Sequence, residues 1–448
     1  MSVVSPVATA RAAGKVIALP RDWFGHPRGL TILFLTEMWE KFSYFGMRAL
    51  LVYYMTKALA FSPAQASWIY GSYTAFSYFT PILGGLVADR FLGRRRAVII
   101  GGSIMALGHF LMAVPGLFYP ALATIALGNG LFLPSLPSQV QTLYRPEDPR
   151  RISAYNVYYV GINLGAVLAP LVCGTLGEVY GWHWGFGAAG VGMCIGLAVY
   201  IGGSRYLPGA TLVAGAREMA TAADRESFGR RIGLLFGVVA MVVVFRGAYE
   251  QTGNTVALWA DRAVDRGVGS HWMIPSTWFQ ALNPLLVFAL TPVLLAFWRH
   301  TAKPNQPVAP LRRMAIGAFI VATAYVLLAM SAQVSEVTGT PAHWSWLVLF
   351  LLIYTCGELL ILPTGLALFG QLAPAALAAT TIALWFSANF AGNLLAGAIG
   401  SLWSRMHDSM FFLLVAAVAA IAASLLLLVD RPARALLQDR SSVPSRRE

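Results

Sequence analysis

Long apolar segments separated by short polar loops run along almost the whole chain. A helix of about 20 such residues spans the hydrocarbon core of a bilayer. The pattern therefore predicts an all-α membrane protein with twelve transmembrane helices. The predicted helices lie near residues 29–57, 64–90, 96–115, 117–144, 152–179, 184–206, 232–260, 275–298, 313–334, 344–371, 376–404 and 408–430.

A polar segment rich in alanine and arginine, Pro208 to Arg231, separates the sixth predicted helix from the seventh. It is too short and too polar to contain two further transmembrane helices. We therefore predict five regions. They are a cytoplasmic tail (1–28), an N-terminal six-helix bundle (29–207), a cytoplasmic linker (208–231), a C-terminal six-helix bundle (232–430) and a second cytoplasmic tail (431–448).

Composition agrees with a membrane protein, since 57% of the residues are hydrophobic and only 11% are charged, against about 25% charged in soluble domains. The net charge of +13 does not indicate nucleic-acid binding, because the basic residues recur in alternate loops. Of the 32 lysines and arginines, 25 fall on the side of the N-terminus, 4 in the opposite loops and 3 within predicted helices. By the positive-inside rule, both termini are predicted to be cytoplasmic. The three cysteines, Cys173, Cys194 and Cys356, lie in apolar segments and are predicted to be buried free thiols.

The first predicted helix carries a stripe of polar side chains. Glu37, Glu40, Lys41, Tyr44 and Arg48 follow one another at helical spacing and share a face roughly 100° wide. Charged groups inside a membrane are costly and face a protein interior or a water-filled cavity. Two interpretations stay open at this point: a proton or substrate site, and a structural charge cluster that holds helices together.

The ionisable groups predicted to be buried do not balance. They comprise four acids and three bases: Glu37, Glu40, Glu250, Glu358, Lys41, Arg48 and Arg246. One negative charge is left uncompensated, and such a carboxylate tends to bind a proton in a low-dielectric interior. The inventory indicates a capacity for protonation without identifying the residue that carries the proton.

The loop after the second predicted helix reads G-G-L-V-A-D-R-F-L-G-R-R-R, from Gly84 to Arg96. It resembles the loop signature of the major facilitator superfamily, in which Asp89 and Arg90 belong to a cytoplasmic latch. The resemblance implies two six-helix halves around a cavity at the membrane midplane.

Further motifs resemble, in order, those of the proton-dependent oligopeptide transporter (POT/PTR) family within that superfamily. They are E-M-W-E-K-F-S-Y-F-G at Glu37, Y-G-S-Y-T-A-F-S-Y-F-T-P at Tyr70, G-N-G-L-F-L-P at Gly128, Y-V-G-I-N-L-G-A at Tyr159, A-Y-E-Q-T-G-N-T at Ala248, W-F-Q-A-L-N-P at Trp278, G-E-L-L-I-L-P-T-G-L at Gly357 and L-W-F at Leu384. Three positions depart from the family pattern. Lys41 replaces an arginine, Phe45 replaces a tyrosine, and Leu133 stands where the family usually has a lysine.

The resemblance implies a proton-coupled symporter that imports di- and tripeptides by alternating access. Glu37 and Glu40 beside Lys41 are the candidate coupling group, and Arg48 with Glu250 is expected to bridge the two halves. Three roles stay open for Arg246: competition for Glu250, replacement of the positive charge missing at Leu133, and simple local pairing.

The resemblance also assigns peptide-binding residues. Glu358 would bind the peptide N-terminus with Asn163 and Asn283 as neutral partners, and Lys41 would face the peptide carboxylate. Four aromatic residues are candidates for side-chain pockets, with packing or interface anchoring as the open alternative: Tyr44, Tyr78, Trp278 and Trp385.

The remaining expectations concern partners and alternatives. We expect no cofactor, no metal and no enzymatic activity, with a proton gradient as the energy source and a monomer in a bacterial inner (plasma) membrane. A carrier of nitrate or another small solute is the alternative on the same scaffold. A non-transporting membrane sensor is disfavoured, because only Arg431 to Glu448 follows the last predicted helix.

Overall fold

Fourteen α-helices form most of the part of the chain that a computed structural model describes, residues 25–145, 148–207, 225–269, 272–301, 309–372 and 378–438. They are α1 (Arg28–Lys57), α2 (Pro63–Val87), α3 (Arg94–Leu111), α4 (Phe118–Ser135), α5 (Pro137–Thr142), α6 (Arg150–Ala169), α7 (Trp182–Gly202), α8 (Arg225–Tyr249), α9 (Thr255–Ala263), α10 (Trp278–Thr301), α11 (Pro310–Thr338), α12 (Ser345–Leu372), α13 (Ala378–Gly400) and α14 (Asp408–Gln438).

Short irregular elements connect and extend these helices. Turns of π-helix at Ala88–Leu92, Pro170–Gly174 and Leu176–Tyr180 continue α2 and α6, and a 3₁₀ turn at Glu250–Gly253 follows α8. Four two-residue strands lie in loops: β1 (Val264–Asp265), β2 (Gly267–Val268), β3 (Trp272–Met273) and β4 (Ala342–His343). Strand β1 pairs with β4 in parallel, and β2 pairs with β3 in an antiparallel hairpin.

Within the described residues, eight helical segments are long and apolar enough to cross a membrane. They are Pro115–Thr142, Ser153–Tyr180, Trp182–Gly202, Gly233–Ala263, Trp278–Phe297, Pro310–Thr338, Ser345–Gly365 and Asp408–Asp430. Helix α1 is long enough, at 30 residues, but falls outside this group because of its six charged side chains. The chain is therefore a mostly helical protein with the apolar helices of an integral membrane protein.

Two of the twelve predicted helices are interrupted. The fourth is split at Leu136 into α4 and α5, where Pro134 and Pro137 remove backbone donors from the helical ladder. The seventh is split by the turn at Glu250–Gly253, after which Asn254 has a non-helical backbone (φ −116°, ψ −96°). The second break puts Glu250 at the end of a helix instead of in its middle.

The predicted regions differ from the structure at two boundaries. Helix α8 begins at Arg225, inside the predicted linker, and α14 continues to Gln438, past the predicted start of the tail. Hydropathy marks where apolar residues end, whereas Ala, Leu, Arg and Gln sustain a helix beyond that point. Residues 1–24, 208–224 and 439–448, which hold most of the predicted tails and linker, lie outside the described residues.

The helices pack in two groups that meet along two pairs. Helix α1 packs on α6 and α7, α3 on α4 and α7, α11 on α12 and α14, and α8 on α13 and α14. Between the groups, α2 packs on α13 and α6 on α10. Small residues allow the first of these crossings, since a Cβ added to Gly71 would lie 2.6 Å from the Cα of Gly397. The two crossings leave a space between the groups.

The prediction that all three cysteines are buried is confirmed for only one of them. Cys173 is buried, whereas Cys194 on α7 is exposed and Cys356 on α12 is partly exposed. In a membrane protein, apolar residues cover the surface that faces lipid as well as the interior. An apolar sequence context therefore does not predict burial.

His26, just before α1, is buried against the segment between α5 and α6. Its Nδ1 lies 2.8 Å from the Tyr144 hydroxyl, and Arg150 donates to the carbonyl of Gly25. Burial and the nearby Arg150 lower the pKa of His26 from its usual 6.5, while Asp148 acts in the opposite direction. His26 and Arg150 thus connect the start of α1 to the segment between α5 and α6.

Candidate functional site

A cavity of about 270 Å³ lies between the two groups of helices. Its walls come from α1, α2, α6, α8, α9, α10 and α12 and from the turn after α8. The volume is near the lower end of the range for small-ligand pockets, roughly 300–1,000 Å³. Four charged side chains line it: Arg48, Arg246, Glu250 and Glu358.

On one wall, Glu250 binds two arginines at once. Arg48 Nη2 lies 2.5 Å from Glu250 Oε2, and Arg246 Nη1 lies 2.5 Å from Glu250 Oε1. Arg48 also donates through Nε to the Tyr70 hydroxyl at 2.7 Å. The Arg48–Glu250 pair joins α1 to the turn after α8, and so connects the two groups of helices. Two guanidinium groups around one carboxylate leave an excess positive charge at this wall.

Glu358 on α12 is held by neutral groups. The Tyr249 hydroxyl donates to its Oε1 at 2.7 Å, and Asn283 Nδ2 donates to its Oε2 at 2.6 Å. Among the described residues, no lysine or arginine forms an ion pair with this carboxylate. The Tyr249 ring lies 5.1 Å from the guanidinium carbon of Arg246. One tyrosine therefore contacts both the negative and the positive part of the lining.

The rest of the α1 stripe forms a separate cluster. Lys41 Nζ lies 2.6 Å from Glu40 Oε2 and 3.4 Å from Glu37 Oε1. Both glutamates are buried, and Glu40 Oε1 has no hydrogen-bond partner among the described residues. Two carboxylates around one ammonium leave an excess negative charge. None of the three side chains lines the cavity.

One end of the cavity is closed by polar contacts between the two groups of helices. Lys57 at the end of α1 lies 2.7 Å from Asp261. Glu178, after α6, accepts hydrogen bonds from the backbone nitrogens of Ser276 at 3.0 Å and Thr277 at 2.8 Å. These two residues directly precede α10, so the carboxylate caps a helix of the opposite group.

Comparison with known families decides the identity of the chain. The model of the POT family matches residues 95–209 and 211–416. The chain belongs to the POT family. The resemblance seen in the separate sequence motifs is thereby confirmed.

Relatives in the POT family are similar over nearly their full length. Peptide transporter YePEPT of Yersinia enterocolitica is 31% identical, over 94% of this chain and 97% of that protein. The di-/tripeptide transporter of Lactococcus lactis subsp. cremoris is 30% identical, over 94% of this chain and 98% of that protein. A crystal structure of a mutant peptide transporter POT in complex with alafosfalin has a TM-score of 0.84 at 30% identity. The similarity covers 93% of this chain and 97% of that one. These proteins are transporters, and their helical fold is shared by the present chain.

Four of the eight peptide-binding residues expected from the POT resemblance line the cavity. These are Tyr78, Asn163, Asn283 and Glu358. The other four, Lys41, Tyr44, Trp278 and Trp385, are not part of the lining. Trp278 instead donates from its indole nitrogen to Thr175 Oγ1 at 2.8 Å, so it serves the contact between α10 and α6.

The loop motif between α2 and α3, from Gly84 to Arg96, lies away from the cavity. Asp89 and Arg90 are both exposed in the π-helical turn after α2, and the described residues offer Asp89 no hydrogen bond or ion pair. Arg94, at the start of α3, does reach across the loop and donates to the Ser138 carbonyl at 3.1 Å. The latch expected of Asp89 therefore stays a prediction.

Sequence reasoning missed two aromatic residues of the site. Tyr249 holds Glu358, and its ring stacks on Tyr354 with centroids 5.3 Å apart. The Tyr354 hydroxyl in turn donates to the Tyr249 carbonyl at 2.8 Å. The position of Tyr249 next to Glu250 in the A-Y-E-Q-T-G-N-T motif was the available signal.

Proposed function

We propose that this chain is a proton-coupled symporter that imports di- and tripeptides by alternating access. The observation that carries the proposal is Glu358, a buried carboxylate that lines the cavity and, within the described part of the chain, accepts hydrogen bonds only from neutral donors. The ammonium group of a peptide supplies the missing cation, and a charge-assisted hydrogen bond of this kind contributes roughly 1.5–3 kcal/mol. The names of the relatives in Yersinia and Lactococcus support peptides as the substrate class.

The proposed architecture is the twelve-helix major facilitator fold with two six-helix halves. In this description α4 with α5 and α8 with α9 each count as one helix, so the halves are α1–α7 and α8–α14. The charge asymmetry of the loops supports two cytoplasmic termini, and the bacterial relatives support the inner (plasma) membrane. We propose a monomer without cofactor or catalytic activity, driven by the proton gradient.

The proposed proton site is the pair Glu37 and Glu40. They share one lysine, so their cluster keeps a negative charge that a proton neutralises. Glu250 with Arg246 is the alternative site. Glu250 is already paired with two arginines, so its charge is compensated, whereas the cluster of Glu37, Glu40 and Lys41 keeps an excess negative charge.

Uptake of labelled dialanine into proteoliposomes, with and without an inward proton gradient, tests the function directly. We expect accumulation only with the gradient. Glu358→Gln should weaken dialanine binding by at least about tenfold, because an amide does not neutralise the ammonium group.

The matched control is Glu336→Gln at the end of α11. Glu336 accepts hydrogen bonds from Ser409 and does not line the cavity, so this variant should bind dialanine normally. N-acetyl-dialanine, which has no ammonium group, should bind the wild type and Glu358→Gln equally weakly. If Glu358→Gln weakens both ligands by the same factor, Glu358 does not bind the amine.

Transport of nitrate or another small anion is the second candidate. The two arginines at Glu250 favour it, because they leave positive charge on the cavity wall. Glu358 on the same cavity opposes it, since a carboxylate without a cation repels an anion. Gradient-driven uptake of labelled nitrate, with no uptake of dialanine, would replace the peptide proposal.

A further inference from the structure

We propose that Arg246 binds the carboxylate of the peptide through its Nε and Nη2 groups, so that the substrate lies between Arg246 and Glu358. This inference rests on the proposed function. It identifies the substrate as a short zwitterion with free ends, and it moves the carboxylate site from Lys41 to a residue on α8.

Arg246 has hydrogen-bond donors that its protein contacts leave unused. A guanidinium group has five N–H donors. Among the described residues, Arg246 makes one hydrogen bond, from Nη1 to Glu250, and its buried Nε has no partner. A buried donor without a partner is costly. The Nε and Nη2 groups lie on the same edge of the guanidinium, which matches the two oxygens of a carboxylate.

Arg48 and Lys41, the two cations of the polar stripe on α1, are already paired. Arg48 donates through Nε to Tyr70 and through Nη2 to Glu250. Lys41 pairs with Glu37 and Glu40 and does not line the cavity. Arg246 is therefore the lining cation with the most donors to offer an anion.

The spacing of Arg246 and Glu358 matches the length of a dipeptide. Tyr249 stands between them, with its ring 5.1 Å from the Arg246 guanidinium carbon and its hydroxyl 2.7 Å from Glu358 Oε1. An extended dipeptide spans at most about 7 Å, which is the scale of one tyrosine side chain. A cavity of about 270 Å³ also suits two residues better than a longer chain.

The charges of the lining agree with such a ligand. Arg48 and Arg246 with Glu250 leave one positive charge, and Glu358 leaves one negative charge. A zwitterion neutralises both without changing the net charge of the cavity. A peptide without its carboxylate leaves the positive charge of Arg246 unsatisfied.

Calorimetric titration of the purified full-length protein with three ligands tests the proposal. The ligands are dialanine, dialanine amide without the carboxylate, and N-acetyl-dialanine without the ammonium group. We expect the wild type to prefer dialanine over its amide by at least about tenfold. In Arg246→Gln this preference should fall close to one, whereas the preference over N-acetyl-dialanine should persist. Glu250 keeps Arg48 as a partner in this variant, which favours folding.

Two further variants complete the test. Arg246→Lys keeps the charge but loses the planar pair of donors, so its preference for dialanine over the amide should be reduced. An unchanged preference in this variant overturns bidentate binding even if Arg246→Gln does not fold. Lys41→Gln should keep the wild-type preference, and its loss there would return the carboxylate site to Lys41. Failure of the wild type to bind dialanine refutes the proposed function itself, a result distinct from any of these.

Discussion

We predict that the contact between Glu178 and the start of α10 keeps one end of the cavity closed. The Glu178 carboxylate accepts two backbone N–H groups, from Ser276 and Thr277, and Arg266 Nη1 lies 4.0 Å from it. The change to glutamine keeps one acceptor oxygen, replaces the other by an amide NH₂ and removes the charge. One backbone N–H and the positive end of the helix then lose their partner.

The magnitude follows from these losses. A charge-assisted hydrogen bond contributes roughly 1.5–3 kcal/mol and a charge at a helix terminus roughly 0.3–1 kcal/mol. Their sum, roughly 2–4 kcal/mol, favours the state with this end open by a factor of about 30 to 700 in Glu178→Gln. At the upper end of this range, most molecules in which this end is closed would change to the state in which it is open.

Pulsed electron paramagnetic resonance measures this shift as a change in the distance between two spin labels. Ala58 after α1 and Val268 in the β2–β3 hairpin are exposed at this end and belong to opposite groups of helices. Labels there, with the native cysteines replaced, report the separation of the groups in lipid nanodiscs. We expect a larger long-distance fraction in Glu178→Gln than in the unmodified protein.

Asp265→Asn is the matched control for this measurement. Asp265 lies in the same loop region and accepts only the nearby backbone nitrogen of Gly267 among the described residues. This variant should leave the distance distribution unchanged. If Glu178→Gln gives the same distribution as Asp265→Asn, the cap on α10 does not hold the cavity end closed.

Three further predictions concern topology, coupling and pH. Single cysteines at Ala216 and Val268 should react with an impermeant thiol reagent from opposite sides of the membrane, and labelling from one side only would refute the topology. Glu37→Gln and Glu40→Gln should each abolish proton-driven accumulation of dialanine but preserve counterflow, and normal accumulation in both would exclude this pair as the coupling site. The pKa of His26 lies below 6.5 in the folded protein. At acidic pH, the unfolded chain therefore binds more protons than the folded protein does. The melting temperature should therefore fall as the pH drops from about 7.5 to 5.5, and His26→Asn should flatten that dependence.

The sequence predicts the helices well because hydropathy reports directly on the length of an apolar segment. It also predicts that Lys41 and Arg48 share one face of α1, because seven residues make nearly two helical turns. Seven residues also separate the two side chains by about 10.5 Å along the helix axis. Which of the two side chains reaches the cavity depends on where neighbouring helices cross α1. Those crossings are set by contacts with helices that are distant in the sequence. Arg48 lines the cavity and Lys41 does not.

Pairings between distant helices were predictable only in part. The partnership of Arg48 with Glu250 followed from the family resemblance, and the ion pair is present at 2.5 Å. The shared use of Glu250 by Arg246 follows from the i, i+4 spacing on α8, but the break after Tyr249 was not visible in the pattern of apolar residues. Glu250 begins the turn at this break and pairs there with Arg48 of α1 and Arg246 of α8, while Tyr249, the last residue of α8, donates to Glu358.

The distribution of charge links the proposed peptide site to the proposed proton site. The cluster of Glu37, Glu40 and Lys41 has an excess negative charge, the arginines at Glu250 have an excess positive charge, and Glu358 adds one more negative charge. A zwitterionic dipeptide neutralises both excess charges of the cavity. It does not neutralise the excess negative charge of the α1 cluster, which lies outside the lining. One proton at that cluster makes the loaded carrier neutral in its low-dielectric interior, where uncompensated charge is costly. In the proposed mechanism, peptide binding therefore does not replace the proton at the α1 cluster, so that the transport of the two remains coupled.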